Sequence, residues 1–408
     1  MKRILIIGGG LSGLAAAMGA ARKLDELGVT NREVAVTLVN RNAWHSIRVR
    51  NYERDLSEIR VPLDDVLKPI AVERVEAQVT AIDLARRRVT IKTLNGQTQL
   101  EYDRIVLAAG SQVNQPDTPG LAECAFNVDT FDAAARLSDH IAKLAKKPPG
   151  AGRYTALVIG AGLTGIEVAC ELPERLRIAA AGDASPAPPR VILADHAPQI
   201  GSVMGNDARS VIGEALAALG IETRTGIVVS AIDQEGATLV DGKRIEADTV
   251  VWTAGMRANP LTALFPVERD QWGRIAVDEF LKVTGVANVF AAGDVARMII
   301  DGRHPTVMSC QHARPMGRFA GNNVVCDLLG VKPLALQINW YVTCLDLGPW
   351  GAVYTHGWER KVVAWGMAAK RTKRTINCVR IYPPRSGSRR EILEAGAPTV
   401  PSPPESYR

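Results

Sequence analysis

The stretch that most constrains this chain is KRILIIGGGLSGLAAA, Lys2 to Ala17. Its apolar start predicts a buried strand, and Gly8, Gly10 and Gly13 follow with the G-x-G-x-x-G spacing that opens a helix. Glycine at these positions lets the backbone turn tightly, approach a diphosphate and pack the helix on the strand. Free N–H groups and the macrodipole favour an anion at the helix start. The stretch predicts a dinucleotide site, with Ser12 among its contacts.

The same pattern occurs a second time, in ALVIGAGLTGIEVACEL at Ala156–Leu172. An apolar strand is followed by Gly160, Gly162 and Gly165, and Thr164 falls in the first turn of the next helix. One copy is weak evidence, because a glycine turn in any α/β core looks similar. Two copies, each between a predicted strand and a predicted helix, indicate two nucleotide sites. Two such sites in one chain suggest electron transfer between two cofactors.

The strand after each glycine turn ends in a polar residue, where the ribose of a dinucleotide lies. Val34–Val39 is followed by Asn40 and Arg41. Asparagine can bond a hydroxyl, although an acidic residue is usual there, and Arg41 can contact a phosphate. In the second copy, Arg190–Ala194 ends at Asp195, whose carboxylate would bond a ribose diol and repel a 2′-phosphate. This favours NADH over NADPH, and an exposed turn residue is the alternative reading of Asp195.

Three further stretches end a strand in small residues, which let the chain pass close to a ligand. They are YDRIVLAAGS with Ala109 and Gly110, DTVVWTAG with Ala254 and Gly255, and ANVFAAGDVA with Gly293 and Asp294. The first two are alike, which indicates two modules of one ancestry. Asp294 could bond a ribityl hydroxyl or simply cap a helix. Val79, in a β-rich excursion over Val72–Ile91, is a further candidate contact.

Composition excludes several classes of function. The 408 residues, 47% hydrophobic and 23% charged, suit a globular protein of two or three domains. The apolar segment Ile4–Ala20 contains a glycine turn, so we expect no membrane span, and a core strand starts too early for a signal peptide. The net charge of +6 comes from scattered arginines without a nucleic-acid motif, so no nucleic-acid partner is expected.

Cysteine and histidine spacing argues for reduced thiols and against a metal site. The six cysteines lack C-x-x-C spacing and the six histidines lack H-x-x-x-H spacing. In a chain of this size the cysteines are typical of a cytoplasmic protein. We therefore predict a cytoplasmic location and no metal.

In this order the motifs resemble those of the two-dinucleotide-binding flavoproteins, the pyridine nucleotide–disulfide oxidoreductase superfamily. The resemblance spans roughly Lys2 to Gly330. It implies an α/β fold with two Rossmann-like modules, the first for FAD and the second for NADH, and a small C-terminal α+β region. The expected division is residues 1–116 and 259–330 for FAD, 117–258 for NAD(P)H, 331–385 for a C-terminal domain and 386–408 for a disordered tail.

Within that superfamily the phrases VVWTAGMRANPL and GLTGIEVACEL resemble the type II NADH:quinone oxidoreductases. The resemblance implies hydride transfer from NADH to FAD and then to a quinone or similar acceptor. It gives Glu167 a role in positioning nicotinamide or relaying a proton; a carboxylate favourable to the helix dipole is the alternative. The family has a helix whose glutamines face the quinone. Here Gln311 keeps the first glutamine, while Pro315 replaces the second and Cys310 the leading alanine.

Membrane contact and oligomeric state stay open at this point, with a homodimer among the arrangements considered. The segment Lys361–Arg374, KVVAWGMAAKRTKR, has an apolar half and a basic half. We predict a core helix with a solvated basic end. The alternative is peripheral contact with an anionic membrane, on the inner face of the cell membrane.

Three other functions compete with this prediction. A sulfide:quinone oxidoreductase would use Cys124, Cys310 or Cys344 close to the flavin. A soluble reductase would pass electrons to a protein carrier, which a basic surface would dock. A flavin-binding signalling protein would bind NADH with negligible turnover.

Overall fold

The computed structural model describes residues 1–181, 183 and 188–403. The α-helices among the described residues are α1 (Leu11–Glu26), α2 (Leu63–Leu67), α3 (Leu121–Cys124), α4 (Phe131–Lys143), α5 (Leu163–Ala180), α6 (Gly205–Ala218), α7 (Cys310–Leu329), α8 (Gly366–Thr375) and α9 (Arg389–Ala395).

The strands are β1 (Lys2–Ile7), β2 (Val34–Asn40), β3 (Trp44–Ser46), β4 (Arg60–Pro62), β5 (Glu73–Glu76), β6 (Gln78–Asp83), β7 (Arg88–Thr93), β8 (Gly96–Glu101), β9 (Arg104–Leu107), β10 (Ser111–Val113), β11 (Thr155–Ile159), β12 (Arg190–Ala194), β13 (Ile221–Arg224), β14 (Val229–Asp233), β15 (Gly236–Leu239), β16 (Arg244–Glu246), β17 (Thr249–Trp252), β18 (Met256–Ala258), β19 (Ile275–Ala276), β20 (Val289–Ala291), β21 (Ala296–Arg297), β22 (Val342–Asp346), β23 (Ala352–His356) and β24 (Lys361–Trp365).

The first glycine turn lies at the carboxyl end of a five-stranded parallel sheet. The strand order is β20-β9-β1-β2-β5, with β1 and β2 paired from Lys2 opposite Val34 to Ile7 opposite Val39. The interior strands are continuous apolar runs because helices cover both faces of such a sheet. Strand β20 comes far later in the chain, so this sheet joins segments on both sides of the second one.

The second glycine turn lies in the same place on a four-stranded parallel sheet of order β13-β12-β11-β17. This order repeats β5-β2-β1-β9 of the first sheet. The two connections between the sheets, β10 and β18, pair antiparallel with Ser111 opposite Ala258. The predicted α/β fold with two Rossmann-like modules is confirmed.

Helix α7 packs on α1 with backbone close to backbone. A Cβ atom on Gly317 would lie 2.2 Å from the Ser12 carbonyl oxygen, and one on Gly321 would lie 2.1 Å from the Ala16 oxygen. Glycine is therefore required for this approach. It brings the start of α7 beside the first glycine turn.

The prediction of one helix over Lys361–Arg374 is wrong. The first half is the edge strand β24 of an antiparallel sheet, β22-β23-β24, and only the second half is helical. The valine pair and Trp365 favour a strand. Gly366 ends it with a left-handed φ of +67°, and α8 begins there.

The predicted disorder of residues 386–408 is also wrong for the part that the structure describes, which reaches residue 403. Helix α9 begins after Ser388, whose Oγ accepts a hydrogen bond from the Glu391 N–H. Ile392 and Leu393 are buried, and this apolar pair holds the helix in the core of the first sheet. Two adjacent apolar residues in a Pro/Ser/Arg-rich segment give little periodic signal.

Candidate dinucleotide sites and the junction between them

The first cradle is the turn between β1 and α1. Gly8 has φ +106°, and a Cβ on Gly13 would lie 1.8 Å from the Gly8 carbonyl oxygen. Around Gly10 a Cβ would meet nothing within 4 Å. The first turn of α1 contains no acidic residue, and no side chain of the residues that the structure describes caps it. Uncapped N–H groups with open space before them fit the diphosphate of a dinucleotide.

Two side chains hold the Gly9 peptide in this cradle. Its N–H donates to Oδ1 of Asn40 at 2.9 Å, and Nδ1 of His45 donates to its carbonyl oxygen at 2.9 Å. The Asn40 Nδ2 donates to the Asn42 carbonyl. Burial lowers the pKa of His45 to about 4, so the ring is neutral at physiological pH. Asn40 therefore supports the loop, while Arg41 beside it is exposed.

Replacing Asn40 with leucine is expected to weaken FAD binding about tenfold, because the Gly9 N–H loses its acceptor and an unmet buried donor is costly. Asn40→Asp keeps the acceptor and is expected to retain FAD better than the leucine variant. The measurement is the FAD dissociation constant of reconstituted apoprotein by flavin fluorescence. Asn31→Leu, in an exposed loop at the other end of the sheet, is the control. Equal FAD affinity in the Asn40→Leu and Asn31→Leu proteins would contradict this role.

The second cradle, between β11 and α5, repeats the first. Gly160 has φ +104°, and a Cβ on Gly165 would lie 1.7 Å from the Gly160 oxygen. Asp195 accepts a hydrogen bond from the Ala161 N–H, as Asn40 does from Gly9, and another from Ala197 at 2.8 Å. Thr253, which the sequence did not single out, bonds the Gly160 carbonyl at 2.9 Å.

The small-residue stretches lie against the cradles. A Cβ on Gly8 would meet the Ala109 Cα at 3.1 Å, and a Cβ on Gly160 would meet the Ala254 Cα at 2.8 Å. Gly110 and Gly255 follow with positive φ angles. Two remaining predicted contacts lie at the second cradle: Gly162 is the N-cap of α5 and Thr164 is exposed in its first turn. The third, Val79, lies in β6 of the separate sheet β6-β7-β8, buried in the apolar core.

Gly293 and Asp294 close the first cradle from the far end of the chain. A Cβ on Gly293 would lie 2.4 Å from Ser12 Oγ. Asp294 accepts a hydrogen bond from Ser111 Oγ at 2.6 Å and lies 3.8 Å from the Arg48 guanidinium. Burial raises the pKa of Asp294, while the Ser111 hydrogen bond and Arg48 oppose that rise. The site fits a ribityl chain, and Arg48 and Ser111 are members that sequence reasoning missed.

Two orphaned atoms further support the fit of FAD to the first cradle. The buried Oγ atoms of Ser46 and Ser309 have no hydrogen-bond partner among the described residues. Ser46 follows His45, which bonds the cradle, and Ser309 precedes α7 without capping it. Unpaired hydroxyls on segments beside the cradle are ready to bond a polar ligand.

Glu167 lies in a buried junction between α5 and the C-terminal sheet β22-β23-β24. Its Oε1 contacts Lys373 Nζ at 2.7 Å and accepts a hydrogen bond from the Asp346 N–H at 3.2 Å. Lys373 also donates to the Cys344 carbonyl at 2.9 Å, and both charged side chains are 9% exposed. Burial raises the pKa of Glu167, and Lys373 opposes that rise. Sequence reasoning found Glu167 but not its partner.

Both ends of the Gln311 side-chain amide form hydrogen bonds with the backbone. Nε2 donates to the Trp340 carbonyl at 3.2 Å, and Oε1 accepts from the Val342 N–H at 3.3 Å. Gln311 therefore fixes the start of β22 against α7. Since β22 ends at Asp346, Gln311 helps to position the peptide that bonds Glu167. Pro315 lies within α7, which continues through it.

Two of the three cysteines considered for sulfide chemistry, Cys310 and Cys344, lie in surroundings that disfavour the thiolate form. Burial raises the pKa of Cys310, and it raises the pKa of Cys344 to about 12. Thiols, unlike thiolates, are poor nucleophiles. Cys124 packs against the core of the second sheet, away from the first cradle.

Comparison with known proteins assigns the chain to a family. The family model described as "Pyridine nucleotide-disulphide oxidoreductase" matches residues 2–317. An NADH dehydrogenase-like protein of Mycobacterium tuberculosis is 56% identical over 401 residues, covering 98% of this chain and 99% of that protein. The type II NADH:quinone oxidoreductase Ndh of the same organism is 31% identical over 355 residues, covering 81% of this chain and 74% of that protein.

Solved structures share the fold. NDH2 from Plasmodium falciparum in complex with NADH has a TM-score of 0.75 at 12% identity, covering 97% of each chain. The sulfide:quinone oxidoreductase from Aquifex aeolicus has a TM-score of 0.76 at 18% identity, covering 95% of this chain and 92% of its own. The family expected from the motifs is confirmed, as are FAD and NADH as its cofactors. The chain belongs to the pyridine nucleotide-disulphide oxidoreductase family and is an FAD-dependent oxidoreductase that takes electrons from NADH.

Proposed function

We propose that this protein is an NADH:quinone oxidoreductase that works at a membrane surface. The observation that carries the proposal is the buried Glu167–Lys373 ion pair, at the point where the NADH module meets the C-terminal sheet. The likeness to a type II NADH:quinone oxidoreductase over 81% of the chain supports it. FAD, when bound, supplies the two-electron chemistry between NADH and an acceptor.

The residues of the two cradles bind and orient. The start of α1 takes the FAD diphosphate, and Asp294 takes the ribityl hydroxyls. The start of α5 takes the NADH diphosphate. Asp195 then discriminates against NADPH, because a carboxylate repels a 2′-phosphate.

Glu167 and Lys373 form the pair through which a proton reaches the electron acceptor. Reducing a quinone to a quinol consumes two electrons and two protons, and NADH delivers two electrons with one proton. The second proton comes from solvent. A buried carboxylate beside an ammonium can hold that proton and pass it on, and Gln311 keeps the Asp346 N–H in place on the same carboxylate. These assignments predict that the pair acts in the acceptor half of the reaction.

A double-mixing experiment tests the function. The protein is reduced anaerobically with one equivalent of NADH and then mixed with menadione while the flavin absorbance is followed. We expect rapid return of the flavin colour and formation of menadiol. Reduction by NADH without reoxidation by any quinone would overturn the quinone assignment and leave a different acceptor to be found.

The membrane contact is proposed from one apolar and basic surface, which we call the docking face. Val363, Trp365 and Met367 are 43%, 59% and 57% exposed. Met367, Arg371 and Arg374 are spaced to share one face of α8, and both arginines are exposed. An exposed tryptophan beside cations suits an interface with anionic lipids. Among the described residues, no helix combines the length and the apolar character needed to cross a bilayer.

Replacing Trp365 with serine is expected to weaken binding to phosphatidylglycerol vesicles about tenfold, because the largest apolar side chain of the docking face is lost. Trp272→Ser removes a comparably exposed tryptophan, 45% exposed, outside the docking face and serves as the control. Vesicle co-sedimentation measures both. A greater loss in the control, or no loss in either variant, would count against this face.

A further inference from the structure

Three arginines, which we call the arginine cluster, gather at the side of α7 that faces the C-terminal segment. They are Arg314, Arg318 and Arg380. Arg314 and Arg318 are one helical turn apart, and an Arg314 nitrogen donates to the Arg380 carbonyl at 2.6 Å. Among the described residues, no carboxylate lies within ion-pair distance of any member of the cluster. By contrast, two other partly or fully buried arginines, Arg104 and Arg274, each form an ion pair with an aspartate.

The charged form of the arginine cluster is destabilised by burial and by mutual repulsion. Burial and the neighbouring Arg318 lower the pKa of Arg314 to about 10. Arg318 is 8% exposed, and within the described part of the chain its Nε has no hydrogen-bond partner. Its Nη1 donates to the Thr399 carbonyl at 3.5 Å. A buried cation without a counter-charge is unfavourable unless something else neutralises it. The arginine cluster is therefore suited to bind an anion.

Unpaired polar groups lie on the segments that meet here. Asn51 is 1% exposed and Asn377 is 4% exposed. Neither side-chain amide atom of Asn51, nor Nδ2 of Asn377, has a hydrogen-bond partner among residues 1–181, 183 and 188–403. Arg50 donates to the Tyr382 hydroxyl at 2.6 Å, which ties the segment of Asn51 to that of Asn377. Buried amides left unpaired in this way point to a polar ligand.

The arginine cluster lies on the helix that packs beside the first cradle. Arg314 is one turn from Cys310 at the start of α7, and α7 packs on the first turns of α1. Arg380, by contrast, is exposed. The arginine cluster therefore extends from Arg380 at the surface to Arg314, which lies nearer the first cradle.

We propose that Arg314 binds an anionic oxygen of the electron acceptor, so that the preferred acceptor is an ionised hydroxyquinone rather than a neutral quinone. This rests on the proposed quinone reduction and narrows its substrate class. Guanidinium binds an oxyanion through strong charge-assisted hydrogen bonds. Asn51 and Asn377 would bond the remaining carbonyl oxygens.

The test compares 2-hydroxy-1,4-naphthoquinone, which is ionised at neutral pH, with neutral menadione. In the wild-type holoenzyme we expect a higher kcat/KM for the ionised quinone, and a preference that shrinks with added salt. Arg314→Met is expected to reduce that preference by about tenfold to a hundredfold, and Arg314→Lys to restore part of it. Arg32→Met, which removes the same charge in the exposed loop before β2, should leave the preference unchanged.

Binding of the ionised quinone to the oxidised holoenzyme, measured by calorimetry, gives a readout independent of turnover. Tight, salt-sensitive binding that Arg314→Met abolishes would support the anion site even if no quinone is reduced, in which case only the proposed function fails. Equal preference for the two quinones, or a preference untouched in Arg314→Met, would overturn the inference. Loss of binding to anionic vesicles in Arg314→Met, with quinone preference intact, would also overturn it and assign the cluster to lipid phosphate.

Discussion

Replacing Gly165 with alanine is expected to raise the KM for NADH about a hundredfold while the purified protein keeps its FAD. The added Cβ would lie 1.7 Å from the Gly160 oxygen and 2.7 Å from Thr253 Oγ1, so the turn must open. Displacing a cofactor by about 1 Å is enough for an effect of this size. The first cradle belongs to a different sheet and is not disturbed. Steady-state kinetics and the FAD content of the same preparation measure both halves of the prediction.

Gly213→Ala is the matched control for that change. Gly213 lies in α6 of the same module, and a Cβ there would meet nothing within 4 Å. Alanine in a helix interior should stabilise the protein slightly, by about 0.5–1 kcal/mol. A Gly165→Ala protein that loses FAD and keeps its affinity for NADH would reverse the assignment of the two cradles.

Replacing Lys373 with methionine is expected to destabilise the fold by about 3–5 kcal/mol at neutral pH, because it leaves Glu167 as a buried charge without its partner. Reoxidation of the reduced enzyme by quinone should slow far more than its reduction by NADH, since only the acceptor half requires a proton from solvent. Chemical denaturation and stopped-flow absorbance measure the two effects. Lys361→Met removes an exposed lysine, 73% exposed, and should change neither.

The pH dependence and a double variant separate charge from packing. Burial and the charge of Asp346 both raise the pKa of Glu167, and without Lys373 the main influence that lowers it is gone. A carboxyl whose pKa is raised in the folded state stabilises the fold most at low pH and loses that contribution as pH rises through the folded value. The deficit of Lys373→Met should therefore shrink in acid. Adding Glu167→Gln should recover much of the stability at neutral pH, and a deficit that stays constant with pH and in the double variant would point to packing instead.

Sequence reasoning succeeded where the signal is local. Gly13 and Gly165 each touch a residue five positions earlier, so the spacing alone carries the geometry of both cradles. The strand ends at Asn40 and Asp195 follow from the same short units. The hydrogen-bond partner of each side chain could not be predicted. Whether Asn40 accepts a hydrogen bond from a ribose hydroxyl or from the Gly9 N–H depends on a loop 31 residues away in the chain.

The parts that sequence reasoning missed come from distant segments. Lys373 meets Glu167 across 206 residues and Ser111 meets Asp294 across 183, and no periodicity encodes such contacts. Lys373 also lies in the segment that was predicted as one continuous helix. A helical pattern counted from Lys361 gives no sign that a strand ends at Trp365. The left-handed φ of Gly366 turns the chain there, and the helix begins only at this turn. The arginine cluster likewise depends on the tail that composition suggested was disordered.

The most direct test of this account is the visible spectrum of the purified protein during anaerobic titration with NADH. We expect a yellow protein with one FAD per chain, whose flavin absorbance is bleached by one equivalent of NADH, and far less readily by NADPH. A colourless protein that binds no FAD on reconstitution, or a yellow one that NADH does not bleach, would contradict the claim that two dinucleotide cradles work together in this chain.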